Sequence, residues 1–395
     1  MKILLTPIGT EGDVRPIIAL GCLLRDQGND VSVCSTRDFK KLSEKHSFKF
    51  YPINISFKEL AINNKDVVGK TFSSTLRFKQ NLREVMDVQL DVLGEIIKGY
   101  DYVIGSGLQL SAFSIAEKLS VKYSHILFAP NWVPSNLHSP PQVPVQFKDG
   151  AINKLLWFFF KSAVNLTVKG KINRYRRANS LEPIKDIFET LKDKTIISHS
   201  PVLSKLPDEI KSISYLNLED INPLPELVTE FIENGAPPIY IGFGSMPGEN
   251  STIEIFKEVI ETLGLRAIIQ KGWAGFETEN SNRFLEVGEI SHGKLFTKMR
   301  FIVHHGGAGT TFNAAKSGVP QLIIPHLLDQ FYWGDKVKRL GIGPKPICFK
   351  KISGKNIKRA FERLVKEDQF LRNAQEIALK IANEETVHVN LHGEM

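Results

Sequence analysis

The stretch Val303-His304-His305-Gly306-Gly307-Ala308-Gly309-Thr310-Thr311 limits what this chain can fold into more than any other segment. The apolar run Phe301 to Val303 leads into it, and a helix-forming segment, Thr311 to Lys316, leads out. The pattern reads as strand, glycine turn and helix N-terminus. Such a turn presents unpaired backbone N–H groups and the positive end of a helix dipole. Its glycines let the backbone approach an anion closely. Thr310 and Thr311 add hydroxyl donors and His305 adds an imidazole. Together these residues point to a ligand that carries phosphate.

Spacing argues against two common phosphate ligands. A P-loop needs Gly-Lys-Ser/Thr after its glycines, and no Lys follows here. A dinucleotide fingerprint needs G-x-G-x-x-G in an early strand-turn-helix unit, and the first glycine turn, Gly9-Thr10-Glu11-Gly12, lacks that spacing. Beyond the apolar run Leu322-Ile323-Ile324-Pro325 stands Asp329-Gln330. An acid beside an amide, past the carboxyl end of a strand, suits hydrogen bonds to sugar hydroxyls. The expected ligand is therefore a nucleotide sugar.

Apolar runs alternate with amphipathic stretches in both halves. In the first half Ile3–Leu5, Val31–Cys34, Tyr102–Ile104, Tyr123–Phe128 and Thr195–Ser198 read as strands, and Val14–Asp26 and Leu110–Leu119 as helices. In the second half Pro238–Phe243, Arg266–Gln270, Phe301–His304 and Gln321–Ile324 read as strands, and Thr252–Thr262 and Thr311–Lys316 as helices. This alternation predicts parallel sheets covered on both faces. With 395 residues, 42% apolar and 24% charged, the chain suffices for two globular domains. Asn222-Pro223-Leu224-Pro225 and Gly235-Ala236-Pro237-Pro238 break regular structure and place the linker at 217–238. The expected division is 1–216, 239–373 and a terminal helical segment, 374–395.

Four segments resemble the inverting UDP-glycosyltransferases of the two-domain GT-B type, nearest to the sterol glucosyltransferases and bacterial antibiotic glycosyltransferases. They are Gly9-Thr10-Glu11-Gly12-Asp13-Val14-Arg15-Pro16, Pro238 to Met246, the His305 turn, and Gly318-Val319-Pro320 through Asp329-Gln330. They occur in the family's order across nearly the whole chain. The resemblance implies two Rossmann-like, doubly wound α/β domains facing across a cleft, with the N-terminal one holding the acceptor and the C-terminal one the nucleotide sugar. It also implies that the last helix crosses back onto the N-terminal domain, although Asn383-Glu384-Glu385 lacks the family's glycine turn.

Transfer of a sugar to an alcohol needs a general base for the attacking hydroxyl and stabilisation of the departing diphosphate. From its position past the first strand, Asp13 reads equally as that base or as an N-cap for a helix starting near Val14; the resemblance favours the base. His125, late in a strand, is the rival base and reads more readily as a core histidine. The resemblance further implies donor-binding roles for Thr10, Ser245, Ile290, His292, His305, Gly307, Ala308, Gly309, Thr310, Asp329 and Gln330. His304 reads as structural. Two departures stand out. His292-Gly293-Lys294-Leu295-Phe296-Thr297 replaces H-D-W-L-F-P beneath the nucleobase, and Glu11 replaces an Arg. An acid aimed at a pyrophosphate would repel it, so Glu11 is expected to turn away from the donor and Arg15 to face the cleft.

No H-E-x-x-H and no D-x-D placed after a strand suggests a metal-dependent transferase. The expected enzyme is metal-independent, with a UDP- or TDP-sugar as co-substrate, no other cofactor, and a hydrophobic acceptor such as a sterol, terpenoid or polyketide. A GT-B nucleotide-sugar epimerase and a non-catalytic nucleotide-sugar-binding module are the rival classes. Three cysteines without a C-x-x-C pair suit a reducing cytoplasm. The net charge of +8 comes without any nucleic-acid-binding signature. One segment has three open readings: Ala151 to Phe160, aromatic and followed by the basic stretch Lys169 to Arg177, can be core, acceptor-pocket wall or a peripheral membrane contact.

Overall fold

The computed structural model describes residues 1–59, 73–207, 209–218, 222–246, 250–273, 275 and 278–384. Twelve strands form two sheets among these residues. The first contains β1 (Lys2–Ile8), β2 (Asp30–Thr36), β3 (Lys49–Ile53), β4 (Tyr102–Gly107), β5 (Lys122–Leu127), β6 (Thr195–Ser198) and β7 (Ser212–Ile213), in the order β3-β2-β1-β4-β5-β6-β7. The second contains β8 (Ile239–Gly242), β9 (Ala267–Gln270), β10 (Phe284–Val287), β11 (Ile302–His304) and β12 (Gln321–Ile323), in the order β10-β9-β8-β11-β12. Every pairing is parallel. The architecture is the expected pair of doubly wound α/β units.

Strand periodicity explains how both faces of each sheet are covered. Ile3 and Leu5 pack beneath the helix Glu11–Asp26 with Val14, Ile17 and Leu24, while Leu4 points the other way, into a cluster with Val85, Met86 and Phe113. In the second sheet Ile239 and Ile241 join Phe256 and Phe361, while Tyr240 faces Leu295 and Phe296. Successive side chains alternate faces, so a strand buried on both sides reads as an unbroken apolar run.

Both sheets reverse their winding direction at one point, between β1 and β4 and between β8 and β11. The registers there pair Ile8 with Gly107 and Gly242 with His304. At such a switch point the loops leave in opposite directions and open a crevice beyond the carboxyl ends of the strands. The glycine turns at Gly9, Gly244 and Gly306 leave from β1, β8 and β11.

Several elements differ from the sequence reading. The helix expected from Val14 starts at Glu11, because Thr10 and not Asp13 occupies the cap position. The helix expected from Thr311 starts at Ala308, directly after Gly307. Strands β3, β7 and β10 escape a search for apolar runs: β3 is only half-buried and contains Pro52, β7 has two residues, and Glu286 interrupts β10. The stretch 217–238 holds a helix, Glu226–Glu233, whose Val228 and Phe231 pack against Tyr240 and Ile268.

The halves touch through side chains as well as through the connection. Ser204 Oγ and Tyr332 Oη share a hydrogen bond, and Tyr215 stacks on Phe312 with ring centroids 4.4 Å apart. The helix Asp368–Ala382 packs Ala374, Ile377 and Ile381 into a cluster that also holds Ala129 and Leu203. Just beyond it, Glu384 accepts from Val202 N at 3.1 Å and from Ser200 Oγ. Of the expected terminal segment 374–395, residues 385–395 lie outside the described residues.

The aromatic segment lies in a 29-residue helix, Gly150–Ala178, whose amino end is capped by Asp149. Its residues divide between two faces. Trp157 and Phe160 are buried, and Trp157 Nε1 donates to His138 O at 3.0 Å. Phe158 and Phe159 are 64% and 61% exposed. No single one of the three readings covers the whole segment. Among the described residues no helix is long and apolar enough to cross a membrane. Trp157→Ala is expected to lower unfolding free energy by about 3–5 kcal/mol. Phe158→Ala should stay within about 0.5 kcal/mol of the parent. Urea titration distinguishes the two.

Candidate active site

A cleft of about 3170 Å³ lies between the two sheets, at their switch points. The loops after β1, β4, β8 and β11 all line it. Thr10, Asp13, Ser245, Ile290, His292, His305, Gly307, Ala308, Gly309, Thr310, Asp329 and Gln330 all border this one space. His125 borders it too, whereas His304 does not.

Asp13 is the third residue of its helix. Its Oδ2 accepts the Thr10 N–H at 2.9 Å, closing the helix's first turn reciprocally with Thr10. Two glycines make room for this carboxyl. A Cβ on Gly9 would lie 2.1 Å from Oδ2, and a Cβ on Gly107 would lie 2.9 Å from Oδ1 and 2.3 Å from Ile8 O. Gly107 also has φ +63°, a left-handed conformation that other residues adopt only under strain. Ser106 Oγ donates to Asp13 O at 3.0 Å, tying the end of β4 to the turn. Burial pushes the Asp13 pKa up to about 6, against the pull of its bonds from Thr10. Capping thus occupies one carboxylate oxygen, and the carboxyl still borders the cleft.

Across the cleft, the helix Ala308–Lys316 starts at Gly307. Ala308 packs against the cluster that contains Val14 and Leu216, so the two glycine-turn helices meet at their amino ends. His305 is wedged among glycines: a Cβ on Gly307 would lie 2.6 Å from its Nε2, and one on Gly244 3.2 Å from its Cε1. Burial and the neighbouring histidines 304, 326 and 292 hold its pKa well below the usual value, so the ring is neutral. Its Nδ1 is buried and has no protein partner. His304 is structural: Nδ1 accepts from Gly306 N at 3.1 Å and Nε2 pairs with Gln321 Oε1 at 2.8 Å.

Asp329 precedes the helix Gln330–Arg339 without bonding its amides. Burial raises its pKa to about 7, and the charge of Asp13 adds to the rise. Carboxyls from the two halves are thus within electrostatic reach of each other. Gln330, expected to bind hexose hydroxyls, also has partners within the protein. Its Oε1 accepts from His326 N at 2.8 Å and Leu327 N at 3.1 Å, so the side chain closes its own loop. His292 is also occupied: its ring stacks on Phe296, and Nε2 bonds Tyr240 Oη at 3.0 Å. His125 pairs through Nδ1 with Tyr123 Oη at 2.9 Å, and burial lowers its pKa to about 4.

Glu11 stands in the wall of the cleft. It and Arg15 both line it, each side chain 34% exposed, with Arg15 Nη1 3.7 Å from Glu11 Oε2. Burial raises the Glu11 pKa to about 7; Arg15 opposes this and Glu289, from the other half, adds to it. Pairing with Arg15 and proton uptake both soften the repulsion that the sequence suggested.

Sequence reading missed Tyr215, Trp273 and Glu289, which border the same space, and Gly107. Gly272-Trp273 and Glu289 follow the carboxyl ends of β9 and β10, and Gly107 ends β4. The signal available was position after a strand, which needs the strands to be placed first. Among the described residues no group of three or more His, Cys, Asp or Glu side chains is arranged to hold a metal ion.

Two facing parallel sheets with glycine-turn helices at both switch points define a sugar-transferring GT-B architecture. Comparison with known proteins agrees. A model of the glycosyltransferase family 28 N-terminal domain matches residues 3–135, and one of the erythromycin biosynthesis protein CIII-like C-terminal domain matches 283–388. Vancomycin aglycone glucosyltransferase of Amycolatopsis orientalis is 30% identical over 353 residues, covering 87% of this chain and 85% of that protein. A sterol 3-beta-glucosyltransferase of Arabidopsis thaliana is 28% identical over 420 residues, covering 98% of this chain and 66% of that longer protein. The solved structure of glycosyltransferase VinC in complex with dTDP shares the fold, with TM-score 0.69 over 97% of this chain and 96% of VinC at 16% identity. The chain belongs to the family 1 glycosyltransferases of GT-B fold, in the group of sterol and antibiotic glycosyltransferases.

The glycine cradle generates its own test. Gly107→Ala combines a left-handed φ with a backbone clash and is expected to cost about 1–3 kcal/mol. Gly28→Ala, at φ +85° with open space around its Cβ, carries the left-handed strain without the clash and should cost only about 1–2 kcal/mol. Equal urea midpoints for the two variants would show that the crowding around Asp13 is unimportant.

Proposed function

We propose that this enzyme transfers a hexose, glucose from UDP-glucose as first choice, onto a hydroxyl of a hydrophobic acceptor, with inversion and without a metal ion. The observation that carries this reading is the Asp13 carboxyl, held in a two-glycine cradle, facing both Asp329 and the turn Gly307–Thr310 across one cleft. The relatives' names supply the substrate class: one glucosylates vancomycin aglycone, another a sterol.

In this mechanism the acceptor oxygen attacks the anomeric carbon while Asp13 takes its proton. The bond from that carbon to the diphosphate breaks on the opposite face, and the electron pair leaves with the phosphate oxygen. A pKa near 6 keeps Asp13 ionised at neutral pH and makes it a stronger base than an ordinary carboxylate. The departing charge meets the amide groups of Gly309 and Thr310 and the positive end of their helix. His305, being neutral, contributes a hydrogen bond rather than a charge. Ser245 and Thr10 border the same region and add hydroxyls. Asp329, with its pKa near 7, exchanges hydrogen bonds with hexose hydroxyls, and Gln330 holds the loop that presents it. Ile290 and Trp273 form the wall for the nucleobase.

Four measurements test this. Asp13→Ala should lower kcat by about 10²–10⁴, while calorimetry finds UDP affinity little changed; near-normal turnover would falsify the base assignment. His305→Ala should weaken UDP binding by about tenfold. The base must be deprotonated, so kcat/KM should fall as pH drops through about 6, not through the ordinary carboxylate range near 4. Turnover should also survive exhaustive chelation, and a strict magnesium requirement would contradict the proposed charge stabilisation.

A further inference from the structure

A surface helix of a globular protein carries one apolar stripe and turns its other side to water. The helix Gly150–Ala178 carries two. One holds Trp157, Phe160, Val168 and Ile172, all buried. The other holds Ile152, Leu155, Phe158, Phe159 and Leu166, exposed by 39%, 58%, 64%, 61% and 77%. At about 100° per residue, Ile152, Leu155, Phe159 and Leu166 fall within a strip about 60° wide, with Phe158 about 60° beyond its edge. Phe158 and Phe159 touch edge to face, 5.6 Å between centroids, so the strip is one continuous apolar surface at that point.

Charge continues the same strip toward the carboxyl end. The helix carries seven Lys or Arg residues and no Asp or Glu. Arg176 and Lys171 are bound to Glu117 and Asp87, and Lys161 to Asp186 and Glu189. Arg177 falls in line with the apolar strip, and Lys169 and Arg174 flank it within about 80°. An apolar front and a basic rear on one side of a helix match a surface that is greasy beneath and negatively charged above. That is the outer layer of an anionic membrane. A helix too interrupted by lysines to cross a bilayer can still lie in its headgroup layer.

We propose that the helix Gly150–Ala178 docks this enzyme onto an anionic lipid surface, inserting Leu155, Phe158, Phe159 and Leu166 and placing Lys169, Arg174 and Arg177 against the headgroups. Phe160, Val164 and Val168 of the same helix border the cleft. One element therefore stands between the bilayer and the acceptor side of the site. The docking itself does not depend on the transfer chemistry.

The test uses the full chain and sedimentation with vesicles. The protein should pellet with phosphatidylcholine vesicles containing phosphatidylglycerol, much less with pure phosphatidylcholine, and should be released as salt rises. Phe158→Ser/Phe159→Ser should lower partitioning about tenfold or more. Its urea midpoint and UDP affinity should match the parent, since neither ring is buried. Arg174→Glu/Arg177→Glu should abolish the preference for the anionic vesicles. Failure to pellet with either vesicle, or unchanged partitioning of the double Phe variant, overturns the proposal. So does sedimentation velocity showing a dimer that the double Phe variant splits, because the strip would then be covered by a second copy.

Discussion

The site depends on two helix N-termini brought nose to nose. One follows β1 and the other follows β11, and each starts at the switch point of its own sheet. A helix amino end is an unsatisfied place, with free N–H groups and partial positive charge. One end satisfies itself with the Asp13 carboxylate. The other, at Gly307, has no capping side chain and leaves its amides open. The same element type thus presents a carboxylate on one wall and uncapped amides on the other.

Close approach is the second constraint. Gly9 and Gly107 crowd the Asp13 carboxyl, and Gly244 and Gly307 crowd the His305 ring. Both groups are consequently held in fixed positions and stripped of solvent. Desolvation raises Asp13 and Asp329 and lowers His305. The result is that the Asp13 and Asp329 carboxyls hold protons closer to neutrality than ordinary carboxyls do, while the His305 ring is uncharged. Glu11 belongs to the same logic. Drawn into the cleft beside Arg15 and opposite Glu289, it becomes an acid that is half protonated near pH 7.

The helix Gly150–Ala178 shows how one segment can serve several surfaces. Its Trp157 is locked into the N-terminal half by His138 O and by rings on three neighbours, and Phe160 reaches the cleft. Phe158 and Phe159, between them in the same turn, face outward. Sequence offered core, pocket and membrane as alternatives for a single block, but a helix rotates neighbouring residues by about 100°. Phe158, Phe159 and Phe160 therefore cannot share one environment.

Sequence by itself determined the architecture, because strands buried on both faces leave unbroken apolar runs and glycine turns mark where each run ends. It also placed the turns at Gly9 and Gly307 after strands of two parallel sheets, while their facing across one cleft came from the family resemblance. The short or half-exposed strands β3, β7 and β10 left too little apolar signal to find. Only the tertiary structure decided how each side chain is used. It gave the Gln330 oxygen to its own loop, locked His292 against Tyr240, brought Asp13 within electrostatic reach of Asp329 and turned Glu11 into the cleft. These outcomes are set by neighbours far away along the chain, through desolvation and through space left by glycines, and no local pattern of residues encodes them.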